Sequence, residues 1–321
     1  MIRKTLAATA LALLTAPVFA QFPTKPVTMI VPFAAGGPTD TVARTLGVAM
    51  QAVLKQTIIV ENVGGAGGTI GVSRVARASP DGYTLLLYHI GMSTVPALYR
   101  KLTFDPLKDF AYIGLVNEVP MTMIARANFP PNNLKELVEY VKKNKDKVSY
   151  ANAGLGAASH LCGLLFMSAI ETDLTTVPYK GTAPAMNDLL GGQVDFMCDQ
   201  TTNTTSQIKG GKVKAYAVTT PKRVASLPDL PTMQEAGLKG FEISIWHALY
   251  APKGTPQPVI DTLVKALQAS LKDPTVIKRF ADLGTEPVSA DKATPAYLQN
   301  FLAAEIKKWG PIIQKAGQYA D

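Results

Sequence analysis

Apolar residues along this chain gather in short runs of strand length that alternate with longer stretches of helical period, the pattern of an α/β fold built of mainly parallel strands. Val27–Val31 predicts the first strand, Ala34, Ala35, Gly36 and Gly37 a turn of small residues, and Thr39 or Asp40 the N-cap of a helix running through Val42, Ala43 and Leu46. Such a junction aims unpaired N–H groups and the positive end of a helix dipole at one spot, a ready site for an anion. The unit returns later: residues 148–151 predict a strand, 152–158 with Gly154 and Gly156 a turn, and 159–168 a helix. Two such corners facing one another would neutralise a carboxylate from both sides.

Further strands are expected at 57–60, 84–88, 112–117, 121–125, 176–178, 194–198 and 213–219, and further helices at 69–77, 133–144, 183–190, 256–271, 275–283 and 294–316. Glu118-Val119-Pro120 reads as a crossing between two lobes and 241–250 as the return, which places lobe one at 21–119 plus 248–321 and lobe two at 120–247. His89 and Ser93, Tyr179 and Thr182, and a polar run from Asp199 to Thr205 follow predicted strands, where open parallel sheets keep their ligand crevice. The polar run reads as a loop, solvated or lining the cleft. Gly64 to Gly68 is no dinucleotide fingerprint, because Ile70 stands where the third glycine belongs; the run reads as a turn lining a cleft or packing on a helix.

Residues 1–20 carry Arg3 and Lys4, an apolar stretch over 6–14 and a Val18-Phe19-Ala20 ending, the form of a secretory signal whose removal leaves 301 of 321 residues in the periplasm. No later stretch has the roughly 20 apolar residues of a membrane span. Losing Arg3 and Lys4 takes the net charge from +8 to +6, a mild excess suited to an acidic small ligand. The lysines are scattered along helices without interleaved aromatics, which argues against nucleic acid. Cys162 and Cys198 fit no metal spacing and remain open as a disulfide or two buried thiols. Ser159-His160 and Cys198-Asp199 carry catalytic residue types, but sequence neighbours do not face one another, and neither a nucleophile elbow nor a metal cluster occurs. An enzyme, a metal and a cofactor are therefore not expected.

With these pieces assembled, the chain resembles the periplasmic receptors of tripartite tricarboxylate transporters, the Bug receptors. The likeness rests on Val31-Pro32-Phe33 through Gly36-Gly37 to Asp40 and Arg44, on Glu61-Asn62 with Gly65-Ala66-Gly67-Gly68, and on Ala97-Leu98-Tyr99 with Asp105-Pro106. It continues through Gly154-Leu155-Gly156 with His160-Leu161, and Val177-Pro178-Tyr179-Lys180-Gly181 with Leu189 to Asp195. The resemblance implies a two-lobed, type II periplasmic-binding-protein fold, monomeric, closing on one small carboxylic acid and presenting it to membrane subunits. A sensory receptor serving a two-component system is the alternative of the same fold. By position the grip falls on Phe33, Ala35, Gly36 and Gly37 in lobe one and on Asn152, Gly154, Gly156, Ala157 and Ser159 in lobe two. Ala157 departs from the family's usual hydroxyl residue, with Ser159 as its substitute. The four glycines are expected to act through backbone N–H groups, and Asp40 to cap its helix. Tyr88, His89, Trp246 and His247 are candidates for a distal wall suited to an aromatic acid such as terephthalate, alongside aliphatic di- and tricarboxylates.

Overall fold

The computed structural model describes residues 22–317 and 319; the expected signal segment lies outside the described residues. The chain begins with β1 (Val27–Val31), α1 (Pro38–Leu54) and β2 (Ile58–Asn62), then a 3-10 turn (Ala66–Gly68) leading into α2 (Thr69–Ala76), β3 (Thr84–His89) and α3 (Gly91–Leu98). A strand of 17 residues, β4 (Phe110–Arg126), carries it into the second half, which runs α4 (Leu134–Lys143), β5 (Ser149–Asn152), α5 (Ala158–Ala169), β6 (Thr175–Pro178) and α6 (Thr182–Leu190). β7 (Phe196–Gln200), α7 (Thr201–Lys209) and β8 (Val213–Val218) complete that half. The chain returns through β9 (Ser244–Pro252) to α8 (Gln257–Ser270), α9 (Pro274–Asp282), β10 (Glu286–Pro287) and α10 (Pro295–Ala316).

Two sheets share β4. Its first part, to Pro120, pairs with β9; from Met121 it pairs with β7 and β8. Pro120 sits where the partner changes, so the N–H it lacks falls at the least costly point of the ladder. One continuous strand thus replaces the two short ones expected from the sequence around Glu118-Val119-Pro120. The sheets are mixed rather than mainly parallel. β1 runs parallel to β2 and β3, and β5 parallel to β6 and β7, as βα units require. Every pairing of β4 or β9, the strands that link the halves, is antiparallel. β9 is paired in the first sheet from Ser244, four residues ahead of the boundary placed by sequence.

One apolar core runs through both halves, from Met29 and Ile30 of β1 to Phe166 and Phe196, and a smaller one lies beneath α6 around Met186 and Leu189. α10 buries Leu298, Leu302, Trp309 and Ile313 along one helical stripe. It also buries Glu305, whose Oε2 accepts from both Trp246 Nε1 (3.0 Å) and Trp309 Nε1 (2.9 Å), so the carboxylate is paired where it is dry.

Two helices escaped the sequence reading. α3 contains Gly91, Ser93, Thr94 and Pro96, a loop-like composition. α7 is rich in threonine, a weak helix former, yet its hydroxyls serve tertiary bonds: Thr201 Oγ1 donates to Gly284 O (3.0 Å), Thr205 Oγ1 to Leu283 O (3.3 Å), and Thr204 Oγ1 accepts from Thr122 (2.7 Å). The expected polar loop is therefore the end of β7 followed by a helix. Cys162 and Cys198 are joined as a disulfide between α5 and β7.

A cleft walled by helix N-termini

α1, α5, α6 and α7 all begin at one small interlobe cavity, lined by Phe33, Gly37, Pro38, Thr39 and His89 from the first half and Ala153, Ala158, Ser159, Thr182, Asp199 and Gln200 from the second. The N-cap residues of these helices are Gly37, Ala157, Gly181 and Gln200, and none makes a side-chain capping bond. Each helix start is thus left without a side-chain cap, and the summed positive ends favour an anion without any Lys or Arg among the lining residues. The cavity measures about 10 Å³, room for little more than a water molecule, so any metabolite requires the lobes to part. A larger groove of about 680 Å³ is lined by Glu118, Arg223 and Lys292 among others, but by none of these helix starts.

The rims touch directly. Ala34 N–H donates to Lys180 O (2.9 Å), Thr94 Oγ1 to Gly156 O (2.6 Å) and the Tyr99 hydroxyl to Leu155 O (3.0 Å). Gly64 and Gly67 of the glycine run stand on this rim: a Cβ on the first would press on Lys180 O, and one on the second would overlap Leu155 O. The run lets two backbones meet across the cleft mouth, a use that its spacing alone does not reveal.

The helix α1 starts differently from expectation. Gly37 is the N-cap with Pro38 following, a position where proline's missing N–H and fixed φ suit the helix. Asp40 serves the helix start from inside the first turn: Oδ2 accepts from Gly36 N–H (2.9 Å) and Arg44 Nε (2.9 Å), and Oδ1 from Asn62 Nδ2 (3.0 Å). Burial works against the charge, but the bonds from Arg44, Gly36 and Asn62 hold this carboxyl below its usual range. Gly154 N–H donates to Asn152 Oδ1 (2.8 Å) and Gly156 N–H to His160 Nδ1 (3.3 Å). Gly36, Gly154 and Gly156 thus use their N–H groups within their own corners, which corrects the expectation that these face a ligand; their positive φ values, +80°, +100° and +84°, are what the corners need from glycine.

Of the sequence-chosen residues, Phe33, Gly37, His89, Ser159, Thr182 and Asp199 line the cavity. Ala35 and Gly36 are exposed on the rim, and Ala157 lies just outside as the N-cap of α5. Tyr179 bonds Asp188 (2.6 Å), and Ser93 donates to Ile90 O (2.7 Å). Ser159 Oγ accepts from Ala153 N–H (2.8 Å), which leaves its proton free to donate. The expected aromatic wall is mostly committed elsewhere: Tyr88 donates to Gly67 O (2.7 Å), Trp246 to Glu305, and His247 bridges Thr39 (3.2 Å) and Asn117 (3.0 Å). Pro38, Thr39, Ala153, Ala158 and Gln200 complete the wall; all but Thr39 stand beside a chosen residue, and Gln200 belongs to the polar run read as solvated or lining the cleft.

Burial sets the protonation of the site. His89 is held neutral, its pKa lowered to about 3, and because Nδ1 accepts Gly91 N–H (2.9 Å) the ring carries its proton on Nε2 as a donor. Asp199 moves the other way, raised by burial to about 6 against the opposing bonds from Asn203, the Gln200 N–H and the Thr182 hydroxyl. An acid raised above its unfolded value costs stability once pH exceeds the folded pKa, and the cost vanishes below the unfolded one. Ligand-free Asp199→Asn is therefore expected to be more stable than the parent at pH 7.5, by up to about 3 kcal/mol, with the gain fading between pH 6 and pH 4. Urea melts across that range measure it; a gain equal at both ends would reject the assignment. Among the described residues no group of His, Cys, Asp and Glu could hold a metal ion, and no helix is long and apolar enough to cross a membrane.

The sequence profile described as "Tripartite tricarboxylate transporter family receptor" matches residues 42–318. The chain belongs to this receptor family. Its structure superposes on that of the periplasmic binding protein BugD with a TM-score of 0.91 at 60% identity, covering 94% of this chain and 100% of that one. MatC from Rhodopseudomonas palustris, solved with bound malate, gives 0.88 at 42% identity over 91% of this chain and 100% of that one. R. palustris Rpa4515, solved with adipate, gives 0.87 at 32% identity over 92% and 98%. The fold is the two-lobed type II binding-protein fold, and these receptors are solute-binding proteins, not enzymes.

Proposed function

We propose that this receptor works in the periplasm as a monomer, freed from its signal at residues 1–20, and closes on a small carboxylic acid that it hands to the membrane subunits of a tripartite tricarboxylate transporter. The convergence of four helix starts without a side-chain cap on one buried cavity carries this reading, because it is an anion site that needs no cation. The malate and adipate bound to relatives support an aliphatic di- or tricarboxylate. An aromatic acid such as terephthalate has less support, since of the four expected wall residues only His89 lines the cavity, while Tyr88, Trp246 and His247 are bonded elsewhere. The ligand's binding energy favours closure by the difference in its affinity for the closed and open forms.

A thermal-shift screen over aliphatic, tricarboxylic and aromatic acids tests the binding claim, with specific ligands raising the melting temperature by mass action; no shift with any carboxylate would overturn it. Deleting the receptor gene should abolish uptake of the acid so identified, and intact uptake would separate the protein from transport. Gly37→Leu probes the wall. Gly37 has φ −82°, which leucine adopts freely, and its Cβ would face Ala183 across the cleft with no atom nearer than 3.5 Å. The variant should fold normally and lose roughly 100-fold or more in affinity by calorimetry, as a wedge of about 3 kcal/mol against closure implies.

A further inference from the structure

The cleft holds an acceptor as well as donors. Asp199, next to last in β7, is 1% exposed and lines the cavity. Its Oδ2 accepts from Asn203 Nδ2 at 2.6 Å, while Oδ1 has no partner at full hydrogen-bond geometry among the described residues; the Gln200 N–H and the Thr182 hydroxyl, itself otherwise unpartnered, lie close enough to favour the charged carboxylate without closing such a bond to Oδ1. Gln200 Oε1, beside it on the same wall, is also unpartnered. A glutamine amide can turn its NH₂ toward a ligand, whereas an ionised carboxylate offers only acceptor oxygens. A ligand made solely of carboxylates and methylenes would offer Oδ1 no donor beyond the loosely placed Thr182 hydroxyl, and would add a second negative charge beside it.

We propose, building on the carboxylate reading above, that the ligand carries an amino or hydroxyl group close to the carboxylate held by the helix starts, and that Asp199 selects for this donor. The helix starts take the acid group and Asp199 Oδ1 takes the N–H or O–H beside it. Anchoring α7 through Asn203 occupies only Oδ2 and leaves the cavity-facing oxygen for this task.

Calorimetry on the intact mature receptor decides the matter with frames that differ only at C2: succinate, malate and aspartate, then glutarate, 2-hydroxyglutarate and glutamate, then adipate and 2-aminoadipate. Within the frame that binds best, a substituted acid should bind at least ~10-fold tighter than the plain one, in keeping with sites built to pair a ligand donor. In Asp199→Asn the Asn203 bond requires the amide oxygen at the Oδ2 position, which turns the new NH₂ into the cavity. Preference for the amino acid should then collapse by ~10-fold or more, whereas preference for a hydroxy acid, which can also accept, should fall less; this contrast tells an ammonium partner from a hydroxyl. Plain acids binding as tightly as substituted ones would overturn the inference and leave the carboxylate reading standing. Equal weakening of all ligands in Asp199→Asn would make Asp199 an anchor of α7 only and overturn it too. If no frame binds, the inference fails, and if the wider carboxylate screen also fails, the receptor reading fails with it.

Discussion

Gly67→Ala is expected to abolish ligand binding while both lobes stay folded. Gly67 sits at φ +61° on the rim of the first lobe, and a Cβ there would overlap the Leu155 carbonyl oxygen of the second. Inside its own lobe the substitution adds the left-handed backbone penalty of roughly 1–2 kcal/mol and a close contact with the Tyr99 hydroxyl, 3.1 Å from the new Cβ, at the far end of a side chain that can shift. The overlap, by contrast, exists only in the closed form and disappears when the lobes part. Backbone on both sides leaves nothing flexible to yield, so closure should lose at least 3 kcal/mol, or about 100-fold in apparent affinity. Gly192→Ala is the matched control, because it carries φ +74° with no atom near its Cβ; it should bind like the parent. Small-angle scattering with saturating ligand should show the Gly67 variant remaining extended. A variant that bound and compacted normally would mean that the rim contact is not part of the working closed state.

Removing the disulfide should give the largest loss of stability. Cys162 and Cys198 are fully buried and separated by 36 residues, and a crosslink over a loop of that size stabilises by about 4 kcal/mol through the unfolded chain. Cys162→Ala with Cys198→Ala should therefore lower the urea-extrapolated stability by about that amount, and the melting temperature by roughly 6 °C. The effect should reach the site as well. The bridge ties the second turn of α5, one turn after Ser159, to the middle of β7, one residue before Asp199. Ligand affinity in the double variant should weaken even at temperatures where it is folded. Unchanged urea melts would show that the packing of α5 on β7 needs no covalent tie.

Much of this architecture was legible in local pattern. The strand-glycine-helix units at Val31 to Asp40 and at Asn152 to Ser159 announced themselves because glycine and small residues interrupt apolar periodicity at the point where a strand hands over to a helix. Thr182 followed from its place after a strand, and Phe33, Gly37 and Ser159 from the family resemblance carried onto the two corners. α7 was not legible, since threonine and asparagine have poor intrinsic helicity and only their bonds to Thr122, Leu283 and Gly284, distant in sequence, make the helix worthwhile. Nor could spacing tell that β4 passes unbroken from one sheet to the other, because Pro120 reads locally as an interruption and is harmless only where the pairing partner changes.

By itself the sequence determined most of the strands and helices of an α/β chain and where its two strand-glycine-helix corners lie, since these depend on periodicity and backbone freedom within a few residues. Only the tertiary structure decided what each polar group does there. It assigned the N–H groups of Gly36, Gly154 and Gly156 to Asp40, Asn152 and His160, and brought Gly67 against Leu155. It also left one oxygen of Asp199 facing the cavity unpaired. Hydrogen-bond partnership and steric contact are relations between residues far apart along the chain, and they come into being only when the two lobes are packed together.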